Sequence, residues 1–385
     1  MYGSFPTIGF DARLWHWTGI GRYIRNILPL LKGVELVVWC LPEDASEVRA
    51  RLPHATIREC NIRPFTLKEW LFWPAELNHV PLDLFHAPHI NIPVFCRVPL
   101  VVTLHDVIPL RYREAINSKL GRQYFAMMSS LAVARAVRII AVSQTTRQDL
   151  ISILQADPNK IRVIGEAADP HFGVPVEPFE QLTLRERFGI HGPYVLYSGQ
   201  WKCHKNLDLL LHAFAGLRQR HPDIQLVLVG RRDATQTHVP NLIRKLQLQQ
   251  AVVCTGYIRD EHVLAALYQG AAVLAHPSCY EGFGLPPLEA MAAGVPVVAS
   301  NAASLPEVVG HAGLLLPPDD VGQWIDALDS AIHDEHLRDR LIGAGFQRVR
   351  QLTWNRAARS TLDVYQEILT AQSLSQRTRH LAFRN

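Results

Sequence analysis

The stretch His276–Glu289, HPSCYEGFGLPPLE, decides the fold of this chain. It follows the apolar run Ala271–Ala275, which predicts a buried strand, and it leads into a helix-like segment, Leu288–Ala293. Gly282 and Gly284 therefore fall at a strand-to-helix junction, where unpaired backbone N–H groups and the helix dipole favour a bound anion. Glu281 and Glu289 flank the turn with seven residues between them. Carboxylates repel phosphate, so their expected partners are hydroxyls, one set on a sugar and the other on a ribose. An anion cradle between two hydroxyl-binding carboxylates is what a nucleotide-sugar site requires.

Working outward, the rest of the chain alternates strand and helix patterns. In the first half, strands are predicted at Thr7–Phe10, Leu36–Leu41, Leu82–His86, Leu100–Leu104 and Val137–Val142, with helices including Gly21–Leu31 and Ser118–Ala134. In the second half, strands are predicted at Tyr194–Tyr197, Ile224–Val229, Val252–Thr255, Ala271–Ala275 and Val295–Ala299. Strands separated by helices imply parallel sheets covered on both faces, an α/β fold. Gly173–Phe179 (GVPVEPF) has the composition of a linker. The expected division is a first domain over residues 1–173, a linker region over 174–192, a second domain over 193–354 and a helix over 355–375. The basic tail Gln376–Asn385 is expected to be disordered.

The segment around Glu281 and Glu289 resembles the E-x7-E signature of retaining glycosyltransferases of family four. AMAAGVPVVAS (Ala290–Ser300), LPEVVG (Leu305–Gly310), SGQWKCHKNLDLLLHAF (Ser198–Phe214) and VTLHDVIPL (Val102–Leu110) continue the resemblance. It implies the GT-B architecture, two Rossmann-like domains whose parallel sheets face a deep cleft, with the acceptor bound by the first domain and the nucleotide sugar by the second. It implies that the C-terminal helix crosses back to the first domain. The phrases GIGRY, FHAPH and VTLHDVIPL look like bacterial mannosyltransferases of surface-polysaccharide assembly. The expected activity is transfer of mannose from GDP-mannose, or of another sugar from a UDP-sugar, to a glycan or lipid-linked oligosaccharide. A non-catalytic nucleotide-binding or partner subunit of the same fold is the alternative.

Composition agrees. The 385 residues are 48% hydrophobic and 19% charged, suited to two domains with full cores. No apolar run reaches the roughly 18–20 residues of a membrane-spanning helix, and the amino terminus lacks a signal-peptide pattern. The six cysteines form no C-x-x-C pair and read as reduced thiols of a cytoplasmic protein. Residues up to 173 hold 19 Lys and Arg against 15 Asp and Glu, while the remainder holds 20 of each. This modest excess would suit an anionic lipid carrier or the cytoplasmic face of a membrane and is too small for nucleic acid. The aromatic run Phe65, Trp70, Phe72 and Trp73 fits a helix packed on the sheet, or one lying on a membrane, that Pro74 ends or kinks.

For the diphosphate, the expected cation is Lys205, just beyond the strand ending at Ser198–Gly199 and directly before a helix. Many family members carry an arginine after the strand-end glycine, where this chain has Gln200; Lys202 or His204 could compensate. Amides at Gly282, Phe283, Gly284 and Leu285 would complete the cradle. By resemblance, Glu281 contacts the transferred sugar, Glu289 binds the ribose, and the main chain at Tyr257 and Ile258 walls the base. Gly230 and Arg231 lie where open α/β sheets place ligands, with Arg232 competing for the role. In the first domain, Gly19 and Gly21 compact a loop that the family closes over donor and acceptor, assisted by Arg22. His105 sits at a strand end with Asp106 placed to orient its ring. His86 and His89 are acceptor-side candidates. No Asp-x-Asp follows a strand, Asp319–Asp320 lying in a polar turn, so no metal and no cofactor are expected.

Overall fold

The structure, a computed structural model, describes residues 5–116, 118–233 and 238–382. Two compact units divide the chain: one reaches to Glu166 and resumes at Trp354, and the other is Ala167–Thr353.

The first unit is built on a seven-stranded parallel sheet of β1 (Thr7–Asp11), β2 (Glu35–Cys40), β3 (Thr56–Glu59), β4 (Leu84–Ala87), β5 (Leu100–Leu104), β6 (Arg138–Ala141) and β7 (Ile161–Val163). The order across the sheet is β3-β2-β1-β4-β5-β6-β7. Ile8 of the central β1 faces Leu36 on one side and Leu84 on the other. Trp39, Trp73 and Phe85 meet edge to face with centroids 5.9–6.0 Å apart. Each such side chain fully buried contributes on the order of 1.5–3 kcal/mol. The buried Arg13 lies 3.8 Å over the Trp73 ring and donates to Asp11 and Glu69, both at 2.7 Å.

The second unit has a six-stranded parallel sheet: β8 (Tyr194–Ser198), β9 (Gln225–Val229), β10 (Val252–Gly256), β11 (Val273–His276), β12 (Val297–Ser300) and β13 (Leu314–Leu316). Its order is β10-β9-β8-β11-β12-β13. Interior strands β8, β9, β11 and β12 are buried throughout, the result of helices on both faces.

Several expectations need correction. Strands β3, β7 and β13 were not predicted; all three are edges, short and only partly buried, so none shows a full apolar run. Residues 167–192 belong to the second unit, where Gln269 caps the chain at Phe172 and Val174 and a helix forms over Pro178–Phe188. The last helix runs Trp354–Ala382, so the tail expected to be disordered is helical through Ala382; no glycine or proline interrupts residues 355–382. This helix is part of the first unit, with Trp354 edge-on to Tyr23 at 5.9 Å. The helix Leu67–Asn78 continues through Pro74 rather than ending there. Trp73 is buried and Trp70 packs on the core, whereas Leu71 and Phe72 are exposed. All six cysteines are free thiols, and among the described residues no helix is long and apolar enough to cross a membrane.

Candidate active site

In the second unit β8 and β11 are neighbours, with Val195 opposite Val273 and Leu196 opposite Leu274. Their carboxyl ends therefore open side by side, the position where open α/β sheets bind ligands. The turn after β8 is drawn close to β9: Gly199 N–H donates to the Val229 carbonyl at 3.0 Å. A Cβ on Gly230 would sit 1.9 Å from the Gly199 oxygen, and Gly230 has φ +137°, so glycine alone fits. The chain then makes a 3-10 turn over Cys203–Lys205 and enters the helix Leu207–Arg220 through Asn206 in the left-handed conformation. Asn206 Nδ2 donates to the carbonyls of Pro277 (3.3 Å) and Pro318 (2.7 Å), and Cys279 N–H donates to the His204 carbonyl at 2.8 Å. These bonds join the turn after β8 to the turns after β11 and β13.

The junction brings Lys205 Nζ to 2.6 and 2.7 Å from the two oxygens of Glu281. His276, the last residue of β11, donates from Nε2 to Glu281 Oε1 at 2.8 Å. Burial pushes the Glu281 carboxyl towards its neutral form, but Lys205 and His276 outweigh burial and hold it well below the usual carboxylate range. His204 moves the other way: burial, reinforced by Lys205, lowers its pKa to about 4, so it is neutral at pH 7 and supplies no compensating charge. Lys202 is ion-paired to Asp233 at 2.5 Å. Gln200 is exposed, and its carbonyl accepts from the Tyr197 hydroxyl at 3.1 Å.

Beyond Glu281, Gly284 has φ +112° and caps the helix Leu285–Ala292. Pro286 and Pro287 occupy its first turn and have no N–H, so the backbone donors at this helix end are those of Gly284 and Leu285. The Ser304 hydroxyl bonds the carbonyls of Glu281 (3.0 Å) and Phe283 (2.6 Å), so those carbonyls are fixed and the turn is rigid. Glu289, on the same helix, is buried and accepts from the Tyr268 hydroxyl at 2.8 Å. Arg231, just after β9, lies 5.7 Å over the exposed ring of Tyr257, which follows β10 and precedes the half-buried Ile258. Arg232 is exposed and pairs with Trp201 through the backbone. Asp320 caps the helix Val321–His333 through Gln323 N–H at 3.0 Å.

The first unit carries a separate group. His105 follows β5, and its Nδ1 lies 2.9 Å from Glu166 Oε1, its Nε2 3.1 Å from the Pro88 carbonyl. Glu166, not Asp106, orients this ring; the Asp106 carboxylate accepts from Ile108 N–H at 2.9 Å. His86 is not an acceptor-side residue. It is fully enclosed, with Nδ1 2.5 Å from the Tyr365 hydroxyl and Nε2 2.7 Å from the Thr103 hydroxyl, tying the last helix to β5. Burial lowers its pKa to about 3. Gly19 and Gly21 lie within the helix Thr18–Ile27 rather than a loop. Only Gly21 is sterically required, since a Cβ there would be 2.3 Å from the Trp15 carbonyl oxygen. Arg22 is half-buried on the same helix. His89 is half-buried beside Trp17 and Phe65.

The structure thus unites Lys205 with Glu281, and adds His276, Asn206, Ser304, Tyr268 and Glu166, which reading of the sequence missed. His276 carried one usable signal, its position at the end of an apolar run five residues before Glu281. The others carried none, because their partners are distant in the chain.

Two parallel-sheet units, one with a cation, a buried carboxylate and a glycine-led helix end at neighbouring strand tips, define the GT-B class. Residues 17–172 match the family described as Glycosyltransferase Family 4, and residues 182–348 match Glycosyl transferases group 1. O-antigen chain mannosyltransferase B of Escherichia coli is 31% identical over 287 residues, 73% of this chain and 74% of that protein. Alpha-maltose-1-phosphate synthase of Mycolicibacterium smegmatis is 30% identical over 90% of this chain and 88% of its own length. In fold, the chain is similar to HepE of Anabaena, solved with UDP and glucose, at a TM-score of 0.76 and 20% identity, covering 94% of this chain and 100% of that one. The chain belongs to the glycosyltransferases of family 4.

Proposed function

We propose that this glycosyltransferase moves mannose from GDP-mannose to a glycan or lipid-linked oligosaccharide acceptor in polysaccharide synthesis, with retention of anomeric configuration and without a metal ion. The observation that carries the reading is the Lys205–Glu281–His276 cluster at the tips of β8 and β11, beside the glycine-led helix end. The likeness to an O-antigen mannosyltransferase supports mannose as the sugar.

On this reading the leaving diphosphate is stabilised by Lys205 and the amides at Gly282–Leu285, a preorganised set that acts where charge develops. Glu281 accepts from hydroxyls of the transferred sugar and Glu289 from those of the ribose. A carboxylate clasped by an ammonium through both oxygens is a poor nucleophile, which favours positioning over a covalent role for Glu281. By family resemblance the acceptor attacks on the leaving-group face and a phosphate oxygen takes its proton. His105, held by Glu166, is assigned to a sugar hydroxyl or the leaving group. The protein works at the inner face of the membrane, where lipid-linked acceptors are reached.

The test is thermal unfolding with GDP, UDP and ADP, followed by assay of nucleoside diphosphate release from the matching mannose or glucose donor with acceptor present. A nucleotide at 100 times its dissociation constant stabilises by about 2.7 kcal/mol, enough to rank the three. Preference for UDP over GDP would overturn the donor assignment; release of no diphosphate from any donor would overturn catalysis.

A further inference from the structure

We infer that the first unit carries an aromatic sugar-binding platform formed by Trp17 and Phe65, and that it holds a hexose ring of the acceptor glycan. This inference rests on the glycosyl-transfer reading and names where its acceptor is gripped.

The position comes from topology. In the order β3-β2-β1-β4-β5-β6-β7 the chain winds one way from β1 to β3 and the other way from β4 to β7. The switch point lies between β1 and β4, and ligands of open α/β sheets bind in the crevice beyond the carboxyl ends of the strands there. Trp17 follows β1, His89 follows β4 and Phe65 follows β3, so three strand tips supply the group. The Trp17 and Phe65 ring centroids are 4.9 Å apart, His89 lies 6.3 and 5.5 Å from them, and Tyr124 lies 6.4 Å from Phe65.

Core packing does not explain the arrangement. Trp17 and Phe65 are 44% and 40% exposed, whereas Trp15, Trp39 and Trp73 of the same unit are fully enclosed. Phe65 has φ +64°, a left-handed conformation that bulky residues avoid and that the surrounding structure must enforce. The enforcement is visible: Phe65 N–H donates to Glu69 Oε2 at 2.8 Å, and the buried Glu69 is fixed in turn by Arg13 and by Asn91 Nδ2, at 2.7 and 2.8 Å. A buried charge network therefore sets the backbone of one exposed ring.

The chemistry suits a sugar. Aromatic faces stack on the C–H face of a pyranose, while its hydroxyls need nearby hydrogen-bonding groups. His89 supplies one: burial, assisted by His105, lowers its pKa to about 3, so it is neutral. Its Nδ1 and Asn91 Oδ1 are buried with no hydrogen bond of good geometry; the two side chains interact with each other beside the rings and form a polar edge there.

The test uses the whole protein with α-mannotriose as probe, comparing wild type with Trp17→Ala, Trp17→Phe and Phe65→Gly. Phe65→Gly removes the ring where the backbone favours glycine, so folding is preserved. Mannotriose affinity, followed by tryptophan fluorescence or calorimetry, is expected to fall about tenfold or more in Trp17→Ala and Phe65→Gly, as for loss of an aromatic anchor, and to survive largely in Trp17→Phe. The KM for the acceptor should rise in parallel while GDP affinity, which reports the second unit, stays constant. Unchanged mannotriose affinity in both ring-deleted proteins with GDP binding intact would overturn the platform. Loss of GDP binding by wild type would instead refute the donor reading and leave the mannotriose comparison to decide this one.

Discussion

Lys205 and Glu281, 76 residues apart, form a two-oxygen ion pair at 2.6 and 2.7 Å. The cation expected at the diphosphate and the carboxylate expected at the sugar are thus one unit. The ammonium has three protons and the carboxylate engages it through two contacts, so a phosphate must share the lysine with Glu281. On the proposed function, the shared lysine would couple leaving-group stabilisation to the placing of the carboxylate assigned to the sugar.

Lys205→Ala is expected to cost turnover and stability together. Loss of a preorganised charge in a phosphate site reduces turnover roughly 10²-fold or more. A buried anion stripped of its partner costs on the order of 3–5 kcal/mol. Adding Glu281→Gln should restore much of the melting temperature but none of the transfer, because the neutral amide needs no counter-charge. Near-normal turnover in a folded Lys205→Ala protein would remove Lys205 from the site.

Glu281 and Glu289 should fail differently. Glu289→Ala is expected to weaken binding of bare GDP by about tenfold, the value of a hydrogen bond to a charged group. Glu281→Ala should leave that binding nearly intact while cutting transfer, because bare GDP has no sugar to touch. Calorimetry on the two variants decides it; equal loss in both would show that the roles are misassigned.

Transfer is expected to continue at its normal rate in excess EDTA, because the proposed mechanism assigns the work of a cation to Lys205 and the amides at Gly282–Leu285. Among the described residues, the groups with metal-binding spacing are His221, Asp329 and His333, and Asp169, His171 and Glu261; neither includes Glu281 or Glu289. Abolition of activity by EDTA and its return with magnesium or manganese would refute this reading of the phosphate site.

Stability should fall as the pH drops from about 6.5 towards 4. Burial lowers the pKa of His86 to about 3 and of His204 to about 4, against roughly 6.5 in the unfolded chain. The unfolded state therefore binds protons first across this window, and each histidine removes up to about 1.4 kcal/mol per pH unit. Glu281 acts lower down: its folded pKa is depressed, so its contribution is complete above the unfolded carboxylate value and is lost only as pH falls through the folded one. Melting temperatures across pH 4–8 check the sign; a flat profile between 4 and 6.5 would show that these histidines are not held neutral by burial.

Local patterns in the chain suffice for the class of fold and for the glycine-led turn after β11. Interior strands such as Leu100–Leu104 announce themselves because helices bury both faces, and the E-x7-E block is local, spanning one strand end and the helix that follows. Tertiary structure decided the rest. Edge strands β3, β7 and β13 stay silent because partial exposure breaks the apolar run. Asp106 looked like the partner of His105, yet Glu166, 61 residues later in the chain, holds the ring. Its place at a strand end makes His86 an acceptor-side candidate, yet Tyr365 and Thr103 close over it. Periodicity records which face of an element is buried, but not which element lies beside it. That second choice is made by strand order, and it is the adjacency of β8 and β11 that sets Lys205 against Glu281.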